Sequence, residues 1–212
     1  MRGMAQLGYS AINLADKDLN YGVAFLDEMQ QKHRLPFVSA NVHRKDNGGL
    51  YAEPFKIVTA GDIRIGIFGV ADAPLTAQAM KDFEIKDAAA AAKEMVAKLS
   101  SRCDVIVALS HLGIENSKKL AADIAGIDIM ISGHRWDMTR SPEIIGKTVM
   151  MQSGSKGKYL GHLDFEYTNT EVKLNEGKVI ALSAQIKEDA GLSALVKEFD
   201  RKSGVSENNE AN

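Results

Sequence analysis

Val105-Ile-Val-Ala-Leu-Ser-His111-Leu-Gly113 and Ile127-Asp-Ile-Met-Ile-Ser-Gly133-His134-Arg135-Trp136 are two short apolar runs, each leading into a histidine. Both are brief and rich in β-branched residues, so each predicts a buried strand. A helix expected near 116–125 separates them. Strand, helix and strand in that order imply a parallel pair joined by a right-handed crossover. An open α/β sheet places its chemistry just past the carboxyl ends of its strands, where His111 and His134 fall. Neutral imidazole at such a place is a candidate metal ligand, the alternative being two histidines satisfied by local hydrogen bonds.

Working outward, residues 4–7 read as the end of a helix stopped by Gly8, and 9–14 as a strand. A chain that opens on the last turn of a helix reads as starting within a domain. Residues 22–33 form an amphipathic helix with Phe25, Leu26 and Met29 on one face. Residues 35–41 are a further strand. Gly61-Asp62 joins 55–60 to 63–70 as a hairpin. The alanine-rich stretch 87–102 is a helix with Asp87 as N-cap. Beyond Pro142 the pattern predicts consecutive antiparallel strands at 147–152, 159–167, 171–174 and 178–183, with Asn175-Glu-Gly177 turning the last pair. A terminal helix spans 190–202. The domain is expected over 1–202 and a polar tail over 203–212.

The 212 residues are 45% hydrophobic and 25% charged, enough for a substantial core. A formal net charge of -2 and one tryptophan argue against nucleic acid as a partner. No apolar run approaches the roughly 20 residues that span a bilayer. No secretory signal is read at the start of the chain. Cys103 cannot pair internally and reads as a small buried residue. Gly154, Gly157 and Gly161 lack phosphate-loop spacing and read as turn and bulge positions.

Several blocks, in order, resemble the 5′-nucleotidase / UDP-sugar hydrolase branch of the calcineurin-like metallophosphoesterases. They are Gly8-Tyr-Ser-Ala-Ile-Asn-Leu-Ala-Asp-Lys-Asp-Leu-Asn-Tyr-Gly22, Pro36-Phe-Val-Ser-Ala-Asn-Val42, Ile65-Gly-Ile-Phe-Gly69, Leu109-Ser-His-Leu-Gly113, Gly126-Ile-Asp-Ile-Met-Ile-Ser-Gly-His134 and Gly157-Lys-Tyr-Leu-Gly161. The resemblance implies a four-layer α/β/β/α sandwich of mixed sheets, here lacking its first strands. It implies two metal ions in the family that activate water against a phosphate ester.

Carried over by position, Asp16, His111 and His134 match three ligands of one metal. Two histidines and a carboxylate suit one Mn, Zn or Fe ion. Lys17 falls at the family's catalytic histidine, and Asp18 where an acidic residue orients it. Trp136 falls at a ligand histidine and is expected to fill the space that ligand and metal vacate. The loops carrying the other ligands, including the bridging aspartate, are expected upstream of Met1. The resemblance thus implies a phosphoesterase domain, impaired or inactive, with a phosphate ester or other small anion as ligand. Asp16-Lys17-Asp18 reads either as a solvated turn with a local ion pair or as an anion site in which Lys17 replaces metal charge. The alternatives for the whole chain are a non-catalytic binding or assembly domain of an extracytoplasmic complex, and a hydrolase of another anion such as a thiosulfate conjugate. A protein partner covering the exposed sheet edge and a periplasmic or extracellular location complete the expectation.

Overall fold

The computed structural model describes residues 1–168 and 170–204; the expected tail beyond 204 lies outside the described residues. Along the chain run α1 (Arg2–Gln6), β1 (Ile12–Asn13), α2 (Asp16–Leu19), α3 (Gly22–His33), β2 (Phe37–Val38) and β3 (Val42–Arg44). There follow β4 (Phe55–Ala60), β5 (Ile63–Ala71), α4 (Ala79–Asp82), β6 (Phe83–Ile85), α5 (Ala88–Leu99), β7 (Val105–His111) and α6 (Ile114–Asp123). The last elements are β8 (Ile129–Ser132), β9 (Glu143–Ile145), β10 (Thr148–Met151), β11 (Tyr159–Thr168), β12 (Glu171–Ala181) and α7 (Ala190–Ser203).

The largest sheet has the order β4-β5-β7-β8-β10-β9. Strands β5, β7, β8 and β10 run parallel, and β4 and β9 are antiparallel edges. The parallel strands are apolar on both faces, as a sheet covered on both sides requires. One face carries Phe68, Val70, Ile106, Ala108, Met130 and Met150, which pack against α5 and α6 through Ala92, Met95, Leu99, Leu120 and Ala121. Asp87 caps α5 by accepting from the Ala90 N–H at 2.6 Å.

The opposite face meets the small parallel pair β1–β2. Asn13 of β1 donates from Nδ2 to the carbonyls of Val70 and Leu109, fastening β1 across β5 and β7. Gly69 makes this approach possible, because a Cβ there would stand 2.1 Å from Asn13 Oδ1. Behind β1–β2 a second core gathers Leu14, Leu19, Leu26 of α3, Phe37, Tyr51 and Phe83. The layers are therefore helices, large sheet, small sheet and α3, the expected α/β/β/α sandwich of mixed sheets.

Three sequence expectations need correction. The strands expected over 9–14 and 35–41 shrink to two residues each, 12–13 and 37–38. The strand expected at 147–152 does not open an antiparallel series; β10 pairs parallel with β8 inside the large sheet. Residues 175–177 do not form a turn: β12 continues from Glu171 to Ala181 against β11, with a register shift that leaves Asn175 out of the pairing as a bulge. Gly177 serves close approach instead: a Cβ there would lie 2.0 Å from Pro142 Cγ.

Candidate metal centre

Three loops bring the site together. His111 is the last residue of β7. His134 follows β8 by two residues, and Asp16 opens α2 just after β1. Cross-ties hold the loop bases: Gly133 N–H donates to the Ser110 carbonyl at 2.8 Å and Gly113 N–H to the Gly133 carbonyl at 2.9 Å. Residues 95 and 23 positions apart in sequence thus converge through topology alone.

His111 Nε2 lies 3.0 Å from Asp16 Oδ1 and 2.9 Å from His134 Nδ1. The two imidazoles meet edge to face with centroids 4.7 Å apart. The three donor atoms all fall within 4.8 Å of one another. They form the one such group of histidine, cysteine, aspartate or glutamate among the described residues. Asp16 and His111 are mostly covered, with side-chain exposures of 19% and 25%, and His134 faces solvent.

The arrangement suits a cation better than protons. His111 Nε2 faces a carboxylate on one side and an imidazole nitrogen on the other. If Nε2 carries a proton, that proton is divided between both neighbours. If it does not, its lone pair confronts the carboxylate. No single tautomer makes two linear hydrogen bonds there. Two donors each about 2.1 Å from one ion and at right angles to it sit about 3.0 Å apart, which matches the spacing seen. Burial, then the neighbouring His134 charge, pushes the His111 pKa below its ordinary value, against the pull of Asp16. A ligand histidine must be neutral, so this shift favours the ligating form.

Backbone strain marks the same place. His134 adopts φ 94°, a conformation that favours glycine. Such outliers persist only where the surroundings enforce them.

The neighbouring expectations fare differently. Asp18 does not orient a histidine; its carboxylate accepts the Ala15 N–H at 3.1 Å and caps α2. Burial pushes the Asp18 pKa up, opposed by that backbone hydrogen bond. Lys17 is exposed and makes no ion pair among the described residues, so the local pair considered for 16–18 does not form. Trp136 does not fill vacated space. It stands 78% exposed, with Lys156 Nζ 5.2 Å from its ring centroid. The loop that places His134 carries Trp136 outward, because the carbonyls of its two flanking residues, Arg135 and Asp137, are held inward by Gln152.

Gln152 is the residue the sequence reading passed over. It lies 1% exposed at the end of an apolar strand, the same position that singled out His111. Its signal was a polar side chain closing Val149-Met-Met-Gln152.

A four-layer sandwich with histidine and carboxylate donors gathered at strand ends is the architecture of the calcineurin-like fold. Comparison with known proteins points to 5′-nucleotidases as similar chains. A bovine (Bos taurus) 5′-nucleotidase is 27% identical over 224 residues, spanning 92% of this chain. A Gloydius brevicauda snake venom 5′-nucleotidase is 28% identical, and Protein UshA of Salmonella pullorum 24% identical across 88% of this chain. Among solved structures, a Thermus thermophilus sulfate thiohydrolase SoxB superposes with a TM-score of 0.83 over 96% of this chain at 22% identity. A 5′-nucleotidase precursor, also from Thermus thermophilus, gives 0.81 over 95% at 22% identity. No family model matches the chain. Along most of its length the chain is similar to 5′-nucleotidases, and its fold is that of the calcineurin-like phosphoesterase domains. It spans 39% of the bovine relative and 40% of the UshA protein, so the activity of those whole proteins is not thereby its own.

Proposed function

We propose that this domain holds one divalent metal ion on Asp16, His111 and His134, binds a phosphate ester or related small anion beside it, and hydrolyses it poorly or not at all. The observation that carries the reading is the convergence of three donors at strand ends with Lys17 and Trp136 standing where the family resemblance expects histidines. Two histidines and one carboxylate leave open positions on Mn, Zn or Fe. A bound ion would supply Lewis acidity and lower the pKa of a coordinated water. Asp16 contributes negative charge, and the histidines contribute neutral nitrogen. Lys17 offers an exposed ammonium but no proton relay of the kind imidazole provides at neutral pH. A second ion would need donors that the described residues do not group. An extracytoplasmic location belongs to the same reading; among the described residues, no helix is long and apolar enough to cross a membrane.

The test is metal content by elemental mass spectrometry after loading with Mn, Zn or Fe and desalting, followed by assay on a nucleoside monophosphate. A single equivalent, lost in His111→Ala, with hydrolysis at background, is the expected result. Rapid turnover that disappears with the metal would overturn the loss of activity. Absence of metal would overturn the site and favour a binding or assembly domain.

A further inference from the structure

Every polar atom of Gln152 is engaged. Its Nε2 donates to the carbonyls of Arg135 at 3.2 Å and Asp137 at 2.7 Å. Its backbone N–H donates to Thr139 Oγ1 at 2.9 Å, and its carbonyl accepts from the Thr139 N–H at 3.0 Å. One residue at the end of β10 therefore grips the loop immediately after His134 at three points.

The hydrogen-bond directions are fixed without seeing a proton. Backbone carbonyls only accept, so the amide nitrogen must face Arg135 and Asp137. Oε1 then accepts from Ser132 Oγ at 2.8 Å. Ser132 has one proton, already given, so it accepts from Ser117 Oγ at 3.0 Å. Ser117 in turn accepts from Ser110 Oγ at 2.8 Å. The chain Ser110→Ser117→Ser132→Gln152 runs one way, is buried throughout, and lies beneath both histidine loops. Ser110 precedes His111, and Ser132 ends the strand before His134. A fully satisfied buried network of this kind specifies one arrangement of the groups that compose it.

We infer that Gln152 is a positioning residue that holds His134 in its ligating conformation, through its grip on Arg135 and Asp137. The inference rests on the metal reading above. His134 sits at φ 94°, a backbone conformation uncommon for any residue but glycine. Among the described residues its side chain bonds to the other site histidine, which is itself a donor of the cluster, so its orientation depends on the loop. Releasing two carbonyls next to a strained residue lets the loop relax, and the donor leaves the cluster.

The test is a double-mutant cycle on Co2+ affinity, measured by titration of the full chain. Gln152→Met keeps the side-chain length and removes the amide. Outer partners of metal ligands typically change affinity about 10- to 100-fold, and a loss in that range is expected. His134→Ala should weaken binding in the wild type and add nothing in the Gln152→Met background. Thr148→Val, which removes a buried bond to the Ile127 carbonyl far from the loop, serves as a control for loss of stability alone. If Gln152→Met does not fold, Gln152→Asn, one methylene too short to reach, is read the same way. Unchanged affinity, or independent effects of the two substitutions, would overturn the positioning role while leaving the metal site standing. A wild type that binds Co2+ no better than His111→Ala would overturn the metal reading and this inference with it.

Discussion

At the scale of single residues, charge and its surroundings decide two outcomes. Lys17 lies next to Asp16, exposed and unpaired among the described residues, so its ammonium is available to an anion that approaches the donors. Lys17→Glu should abolish binding of inorganic phosphate, and Lys17→Arg should retain it; phosphate affinity unchanged in Lys17→Glu rules the role out. Asp128 shows the opposite situation. Burial pushes its pKa above the ordinary carboxylate value, and the Ile106 N–H, donating to it at 2.7 Å, only partly offsets this. A folded pKa above the unfolded one means the native state binds the proton more tightly. Asp128 therefore favours folding below its unfolded pKa and loses that contribution as pH rises through the folded value. Asp128→Asn keeps an acceptor for Ile106 and removes the charge. Urea unfolding should find the variant equal to or more stable than wild type at pH 7, with wild type gaining relative to it as pH falls towards 4. A wild type clearly more stable at pH 7 and losing ground on acidification would contradict the sign.

Elements were legible in the sequence where local chemistry acts alone. The bounds 22–33 follow from an amphipathic period, α5 from alanine and an aspartate cap, and β4–β5 from Gly61-Asp62 between alternating strands. His111 and His134 were legible because each closes an apolar run, and Asp16 only through the family block. What local pattern cannot show is pairing. The run 148–151 reads the same whether its neighbour is parallel β8 or an antiparallel strand. Likewise Asn175-Glu-Gly177 has turn composition, yet the strand continues through a bulge at Asn175, with Gly177 set close against Pro142. Glycine inside a strand often marks such an approach. Gly177→Ala separates the two explanations by sign. With no neighbour in the way, alanine in a strand would stabilise by roughly 0.5–1 kcal/mol. With Pro142 Cγ 2.0 Å from the new Cβ, a loss of about 1–3 kcal/mol is expected in equilibrium unfolding.

Across the whole molecule, the donors belong to different layers. Asp16 is carried by the small sheet and the core behind it, through Leu14 and Leu19. His111 and His134 are carried by the large sheet, whose core lies on its other face. At the seam between the layers, Asn13 supplies two hydrogen bonds, while its buried Oδ1 has no partner among the described residues. A metal ion on the three donors would join the layers directly. An ion that binds the folded chain and not the unfolded one stabilises it by mass action, about 2.7 kcal/mol at a concentration 100 times Kd. For a chain of this size each kcal/mol moves Tm by roughly 2–4 °C, so saturating metal should raise Tm by about 5–11 °C. Because the ion spans the seam, hydrogen exchange should slow in β1 and β2 as well as at the ends of β7 and β8. Asp16→Ala should remove the protection of β1 and β2 and lower metal affinity, with the large sheet otherwise intact. A Tm rise that persists in Asp16→Ala, with β1 and β2 still protected, would mean the ion binds elsewhere and the layers are not joined through this site.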